Sequence, residues 1–382
     1  MTQPRPAPTE AASGGVRVAV DAMGGDHGPR EIVAGVLTYA RANPADTLIL
    51  VGDETVVGAL ADPLPHNVRI VHAGSVVGMD EHPARALVRK KDSSIVVGTE
   101  LVKNGEADAI VTAGHTGAGM AAGKLILGST PGIDRPALAV QMTTESGPMV
   151  LLDIGANPVS TPENLAQYAH MGAIFAEKVL GVARPRVALL SIGEEKGKGD
   201  ARIVQATRLL DASTLNFVGN VEGRDLPKHL ADVVVTDAVA GNVVMKFFEG
   251  LSTFIFDLWR AEFSGSWRGR LAALLMRPGI ARIRRVFDYE TQGGSPLLGV
   301  NGIVIITHGS ARSRMIVFAC EVAATMARAR VPQLIADALA SDRALAAAAA
   351  AAGASAPAGT TADDPAAPAD PGPADRPQEV RS

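Results

Sequence analysis

The sequence predicts an α/β fold of three layers, a largely parallel mixed sheet with helices on both faces. Three observations carry this expectation. Short runs of Val, Ile and Leu recur, each followed by a Gly-rich polar loop and then by apolar residues at helical spacing. Most of these runs are continuous, as strands buried on both faces are. At 382 residues, with 47% hydrophobic and 20% charged, the chain is long enough to bury a large core.

The elements follow in order. In "VRVAVDAMGGDHGPREIV" (16–33), Val16, Val18 and Val20 alternate with Arg17 and Ala19, which predicts a strand. Ile32, Val33, Val36, Leu37 and Ala40 then recur at helical spacing, and Pro29 suits a first turn. Between them Asp21 to Gly28 holds three glycines, two acids and a histidine, more polar chemistry than a turn requires. "TLILVG" (47–52) and "VRIVHA" (68–73) continue this unit. "ADAIVTAGHTGAGMAAGKLIL" predicts a strand at 108–112, a loop at 113–117 and a helix at 118–127. "ALAVQM" and "PMVLLD", joined by "TTESG", predict an antiparallel hairpin, which makes the sheet mixed. A long helix is expected from Pro162, and "RVALLSIGEEKGKGDARIVQATRLL" and "ADVVVTDAVAGNVVMKFFEGL" repeat the strand–loop–helix design. "GIVIITHGSARSRMIVFACEVAATMA" closes the series.

The ends read differently. Residues 1–15 lack a basic segment followed by an apolar one and are expected to be a disordered leader, not a secretion signal. Residues 333–382, rich in Ala and Pro, are expected to be a disordered tail. The folded body is therefore placed at 16–332.

Composition excludes several functions. A formal net charge of -4 argues against a dedicated nucleic-acid binder. Cys320 is the only cysteine, which rules out an internal disulfide framework and a thiolate metal cluster and fits a reducing cytoplasm. Its surroundings, "MIVFACEVA", make it a core residue. No run of 18 apolar residues occurs, so no membrane span is expected. HExxH, GxGxxG and GxSxG are all missing, so metal hydrolysis, dinucleotide binding and a serine elbow have no motif.

In open α/β sheets the site lies beyond the carboxyl ends of the strands. Six loops are expected there: 21–28, 113–117, 153–157, 192–199, 237–242 and 308–312. They hold His27, His115 and His308, and Asp21, Asp26 and Asp153 have the chance to meet. Glycines let main-chain N–H groups approach an anion, and the helices that follow point positive ends at it. Anion cradles without a covalent nucleophile suit a reaction in which the anion itself attacks.

At this point "VAVDAMGGDHGP", "DEHPARALVRKKDSSI", "AGHTGAGMAAG", "GIDRPALA", "LLDIGANP", "NFVGNVEGRDL", "DVVVTDAVAGNVVMK" and "HGSA" resemble the bacterial acyl-acyl-carrier-protein:phosphate acyltransferases of phospholipid synthesis. The match runs in order from about residue 16 to 331. The resemblance implies a fold similar to isocitrate and isopropylmalate dehydrogenases and to phosphotransacetylases, and a homodimer. It implies acyl carrier protein and orthophosphate as substrates, with neither metal nor nucleotide cofactor. The acyl phosphate product would pass to a membrane glycerol-3-phosphate acyltransferase. On this reading His27 or His308 protonates the leaving thiolate. Lys246 is the first choice of phosphate cation, with Lys196 and Lys198 second, and Asn157 and Asn242 orient the carbonyl or phosphate. Gly24, Gly25, Asp26, Gly114, His115, Thr116, Gly117, Gly309 and Ser310 line the substrates. Departures from the family pattern are His115 for Asn, Ala238 and Val239 for Gly and Phe, Asp200 for Asn, and Gln292 for Tyr. Ala238 is poorly suited to a positive φ, so its loop is expected to sit differently.

A helical arm is expected over about 251–288. From Arg260 to Arg285 it has seven arginines against one acid, Glu262. Trp259, Trp267, Leu271, Arg282, Arg284 and Arg285 suit contact with a membrane interface, an acidic carrier protein or a dimer partner. The expected location is the cytoplasm, peripherally on the inner face of the cell membrane. Two other readings are a non-catalytic carrier- or lipid-binding relative and an NAD-dependent dehydrogenase, the latter needing an acid cluster and a cofactor loop.

Overall fold

The computed structural model describes residues 15–195, 197–286 and 289–342, with 345 and 347. The chain opens with β1 (Arg17–Asp21), α1 (Arg30–Ala42), β2 (Thr47–Gly52), α2 (Glu54–Leu60) and β3 (Val68–His72). Two helices, α3 (Pro83–Arg89) and α4 (Ser94–Lys103), precede β4 (Ala109–Thr112) and α5 (Thr116–Ala122), which runs into a π turn, Gly123–Leu127. The hairpin β5 (Ala137–Thr144) and β6 (Gly147–Leu152) follows, then α6 (Pro162–Val179), β7 (Arg186–Leu190), α7 (Ala201–Asp211), β8 (Asn216–Val221) and β9 (Val233–Val235). Next come α8 (Ala238–Ser264), α9 (Trp267–Val286), β10 (Ser295–Leu298) and β11 (Val304–Ile306). The helices α10 (Ser313–Arg328) and α11 (Val331–Ser341) complete it.

Eleven strands form one sheet in the order β3-β2-β1-β4-β11-β10-β5-β6-β9-β7-β8. The first five are mutually parallel. β10 is antiparallel to both β11 and β5, so β5 runs with the first group. The hairpin then reverses direction, and β9, β7 and β8 follow β6. The sheet therefore has two halves that point opposite ways, and the expectation of six loops on one carboxyl edge is corrected. Loops after β1, β4 and β11 belong to one half, and those after β6, β7 and β9 to the other. The expected hairpin is present, and it is the cause.

Both faces of the sheet are covered. Val18, Val20, Leu48 and Leu50 join a core built with α1, α6 and α10, while Ala19, Ile49 and Val51 enter a second core on the opposite face. Alternate residues of one strand thus face different cores, which is why the strands read as continuous apolar runs. Cys320 is fully buried in the first core, and burial pushes its thiol up to about 12. It is a packing residue.

One boundary differs from expectation. The tail does not start at 333: α11 buries Val331, Ile335 and Leu339 at helical spacing, so order continues to Ser341. Its few large side chains sit on one face, a signal hidden by the surrounding alanines. Residues 1–14, most of the tail, Lys196 and the side chains of Arg284 and Arg285 lie outside the described residues. The expected arm, about 251–288, falls within α8 and α9: α8 runs 27 residues from Ala238, and its first turns pack on the second core through Val244, Met245 and Phe248. By length and composition α8 is apolar enough to cross a membrane, contrary to the expectation from apolar runs. Strands β8 and β10 had no sequence signal: β8 carries Gly219 at φ 99, and β10 is "SPLL" after two glycines.

α11 is held to α6 by a buried pair. His170 Nε2 lies 2.8 Å from Asp342 Oδ2, with the side chains 3% and 2% exposed. Burial holds the imidazole below its usual value of 6.5, although the Asp342 carboxylate opposes this. Below that value the unfolded chain binds a proton that the folded ring resists, so this contribution is present at neutral pH and lost as pH falls. Urea titrations should show wild-type stability falling between about pH 7 and pH 5, with a slope of up to about 1.4 kcal/mol per pH unit from this group. His170→Gln should be flatter over the same window; equal slopes would dismiss the assignment.

Candidate functional site

The first wall is organised by Asp21 at the end of β1, 2% exposed. Its Oδ1 accepts from the N–H groups of Met23 (3.2 Å) and Gly24 (3.1 Å), and its Oδ2 from Thr112 Oγ1 (2.8 Å). Burial pushes its carboxyl up, and hydrogen bonds from Ser94, Thr112 and the two backbone N–H groups oppose that shift. Gly24 approaches the β4 loop so closely that a Cβ would stand 2.7 Å from the Gly114 nitrogen. Asp26 N donates to Gly309 O at 2.7 Å, tying the β1 loop to the β11 loop. His27 and His308 thereby sit on joined loops, both exposed. Asp26 does not cap α1, whose N-cap is Pro29 without a side-chain bond.

His115 has a definite task. It is the N-cap of α5, and its Nδ1 accepts from Gly117 N at 3.0 Å. An imidazole nitrogen here does what an Asn side-chain oxygen does at the same position. An accepting Nδ1 leaves the proton of the neutral ring on Nε2. His308 repeats the device: its Nδ1 accepts from Ser310 N (3.2 Å) and meets Ser310 Oγ at 2.8 Å.

The second wall is organised by Asp153, fully buried at the end of β6. Oδ1 accepts from the N–H groups of Leu138 (3.1 Å), Gly155 (3.0 Å) and Ala156 (2.9 Å). Oδ2 accepts from Asn157 N (2.7 Å) and Asn157 Nδ2 (2.9 Å). The other Asn157 amide bond goes to Pro136 O at 2.6 Å. α8 starts against this loop, since a Cβ on Gly241 would fall 2.0 Å from the Asp153 carbonyl oxygen. Asp237 caps α8 through Ala240 N (3.0 Å) and meets Arg202 Nη2 at 3.3 Å. Ala238 is the first helical residue, so no positive φ is asked of it, and the expected distortion of its loop is absent. Asp200, another departure, caps α7 through the N–H groups of Arg202 and Ile203.

Several expected ligands are thus otherwise engaged. The N–H groups of Gly24, Gly114, Gly117, Gly155, Ala156 and Ser310 are all taken by side chains of their own wall. Buried carboxylates, Thr112 and histidines satisfy these six internally, and the Asn157 amide is likewise engaged by Pro136 O and Asp153. Asn242 and Lys246 are helical and exposed; Lys246 pairs with Glu249 at 2.8 Å. It lies about 12 Å along α8 from its first residue, by the rise of an α-helix. Lys198 is exposed in the β7 loop, where its backbone oxygen accepts from Asn220 Nδ2 at 3.3 Å. Asp21, Asp26 and Asp153 do not gather, because β1 and β6 belong to opposite halves; among the described residues no acid, His and Cys cluster suits a metal.

Beside the second wall, at the strand reversal, lies a cleft of about 390 Å³ that the first-wall loops do not line. α5 and its π turn supply Met120, Ala121 and Lys124; the β5 approach supplies Asp134, Arg135 and Pro136; Ala156 and Asn157 face them, with Leu297 of β10. Leu297 pairs with Leu138, so the cleft straddles the β10–β5 seam. Lys124 Nζ donates to Ser129 Oγ (2.8 Å) and Asp134 O (3.0 Å), both uncharged oxygens. Arg135 Nε is 3.7 Å from Asp134 Oδ2, with both side chains exposed. Two cations beside an apolar wall can hold an anion next to an uncharged reactant. Sequence reasoning missed both, although Lys124 is the only charge in "GHTGAGMAAGKLIL" and Arg135 stands inside "GIDRPALA". A larger cavity, about 590 Å³, lies at the amino ends of β1 and β4 beside Val16, Asp108 and Arg328, away from these loops.

Residues 16–334 match the family model described as fatty acid synthesis protein. The chain is 50% identical over 311 residues to a phosphate acyltransferase of Desulfitobacterium hafniense, covering 81% of this chain and 93% of that one. It is 48% identical over 312 residues to a phosphate acyltransferase of Heliobacterium modesticaldum, covering 81% and 93%. Among solved structures, a phosphotransacetylase from Streptococcus pyogenes superposes with a TM-score of 0.55 at 19% identity, over 82% of this chain and 94% of that one. A branched-chain phosphotransacylase from Enterococcus faecalis gives 0.51 at 15%, over 82% and 99%. These likenesses establish the fold.

The cap role of His115 is open to test by thermal and urea unfolding. His115→Ala should cost about 1 kcal/mol, as loss of an N-cap does, while His115→Asn should stay within about 0.5 kcal/mol of wild type. Equal losses in both variants would remove the capping role.

Proposed function

The chain belongs to the phosphate acyltransferase family, and from that premise we propose that it moves the acyl group of an acyl-carrier-protein thioester onto orthophosphate. It is an acyltransferase of fatty acid and phospholipid synthesis. The observation that carries the finer reading is the convergence of Lys124 and Arg135 on the cleft at the strand reversal.

Phosphate sits between the two cations, with Lys124 free to offer it a third N–H. A phosphate oxygen attacks the thioester carbonyl, the new C–O bond forms, and a tetrahedral oxyanion results. Collapse breaks the C–S bond and expels the phosphopantetheine thiolate, leaving acyl phosphate. One preorganised oxyanion donor contributes ~2.7–4 kcal/mol. Holding both reactants in line contributes roughly 7–11 kcal/mol. Phosphate is already a nucleophilic anion, so no strong base is required. The leaving thiolate takes up a proton; His27 and His308, the candidates read from the sequence, lie on the first wall and not among the cleft-lining residues.

The arm gives the product a route to lipid. Val243, Phe247, Leu251, Phe254 and Leu258 form an exposed stripe along α8, and Trp267, Leu271, Leu274 and Leu275 are exposed on α9. The arginines of α9 flank them, and each cation near anionic lipid adds ~1 kcal/mol. We read the arm as interfacial, not spanning, because its root is packed on Asp153 and Lys246 and Glu249 pair within the apolar window. The protein then works in the cytoplasm on the inner face of the cell membrane, as a homodimer, and passes acyl phosphate to a membrane glycerol-3-phosphate acyltransferase.

Purified protein mixed with palmitoyl-carrier-protein and phosphate should release acyl phosphate. Lys124→Ala and Arg135→Ala should each lower kcat/KM for phosphate roughly 10- to 150-fold, the equivalent of one charged hydrogen bond, while Lys246→Ala stays near wild type. Binding of carrier protein without phosphate-dependent thioester loss would sink the enzymatic reading. For the arm, Trp267→Glu with Leu275→Glu should abolish flotation with anionic liposomes; unchanged flotation would remove the membrane role.

A further inference from the structure

We propose that the outward face of α3 is the docking surface for the acidic acyl carrier protein, an inference that rests on reading the cleft as the place where the carrier's thioester reacts. The inner face of α3 is fixed: Ala86 and Leu87 are buried against Ala118 and Ala122 of α5. Pro83 sits where a Cβ on Gly117 would come within 2.8 Å of its Cγ, so the helix is seated on the β4 loop itself. Ala121 packs against this cluster and also lines the cleft. One helix thickness therefore separates α3 from the reacting groups.

The outer face has another character. Arg85, Val88 and Arg89, at i, i+3 and i+4, form one exposed row, and Lys91 follows just beyond the helix. Val88 is 68% exposed and Met79, in the loop before α3, is 61% exposed. Of the local acids, Glu81 is taken by Lys90 at 2.5 Å and by Gly78 N at 2.7 Å, Asp92 accepts from Ser75 Oγ at 2.8 Å, and Asp80 is exposed beside Met79; among the described residues Arg85 and Arg89 have no carboxylate at salt-bridge distance. A small apolar centre ringed by cations is complementary to an acidic helix carrying one or two apolar residues. It does not suit a lipid surface, because one Val and one Met on a two-turn helix insert little area. The arm, with its tryptophans and long apolar stripe, carries that burden instead.

The test is the charge-reversed full-length variant Arg85→Glu with Arg89→Glu. Binding of acyl-carrier-protein, measured by calorimetry, should weaken at least ten-fold, and the wild-type affinity should fall with added salt. In turnover the variant should show a KM for acyl-carrier-protein raised at least ten-fold, with rates on a short acyl-pantetheine thioester unchanged. Wild-type protein that binds carrier but transfers nothing would remove the enzymatic reading and leave the docking surface standing. Undiminished carrier binding by the variant would overturn the docking surface. So would lost binding to anionic vesicles with carrier binding intact, which would reassign the face to lipid.

Discussion

A sheet whose strands change direction has a seam, and here nearly everything of chemical interest is arranged around it. β10 and the β5–β6 hairpin lie between two parallel halves that run opposite ways. A parallel half places its connecting loops at one end of its own strands, so two halves of opposite direction produce two separate loop clusters. At the seam the far end of the helix after β4 and the loop after β6 face each other across β10 and β5. This is a topological switch point in the sense that governs ligand sites in open α/β sheets.

Each loop cluster is held by one buried carboxylate. Asp21 and Asp153 occupy matching places, the last residue of one strand and the first after another, and each gathers the N–H groups of the turn that follows. A buried carboxylate is tolerable only when its oxygens are satisfied, and these are. The arrangement has a chemical cost to the loops, since N–H groups pointing at a carboxylate cannot point at a substrate. The cations at the cleft come from elsewhere, from the π turn that carries Lys124 and the extended segment that carries Arg135. Rigid walls and cationic contacts have been assigned to different parts of the chain.

Most elements were legible in the sequence because apolar runs, glycine loops and helical spacing repeat with little interference. The hairpin was legible too, yet its consequence for strand direction was not, since direction is a property of the whole sheet and not of any window. Lys246 shows a related effect: "DAVAGN" reads as a loop, but Asp237 caps a helix at Ala238, which carries the lysine along α8. His115 looked like a lost Asn and proves a substitute for it, which only a bond to Gly117 N could reveal. Lys124 and Arg135 were in view but unremarkable, because single cations acquire meaning only when the fold brings them to one cleft.

α8 is anchored at one end. Ala238 and Gly241 are its only buried residues, and they rest against the loop that Asp153 organises. At ~1.5 Å per residue its 27 residues extend about 40 Å. Its first turns are packed on the second core through Val244, Met245 and Phe248, so the lever is the stretch beyond: a tilt of about 10° there sweeps the far end, about 24 Å on, through roughly 4 Å, by the same rise per residue. A displacement at the fulcrum smaller than a bond length is therefore legible as a shift of several ångströms at the tip, and a load applied at the tip returns to the cleft with equal mechanical advantage.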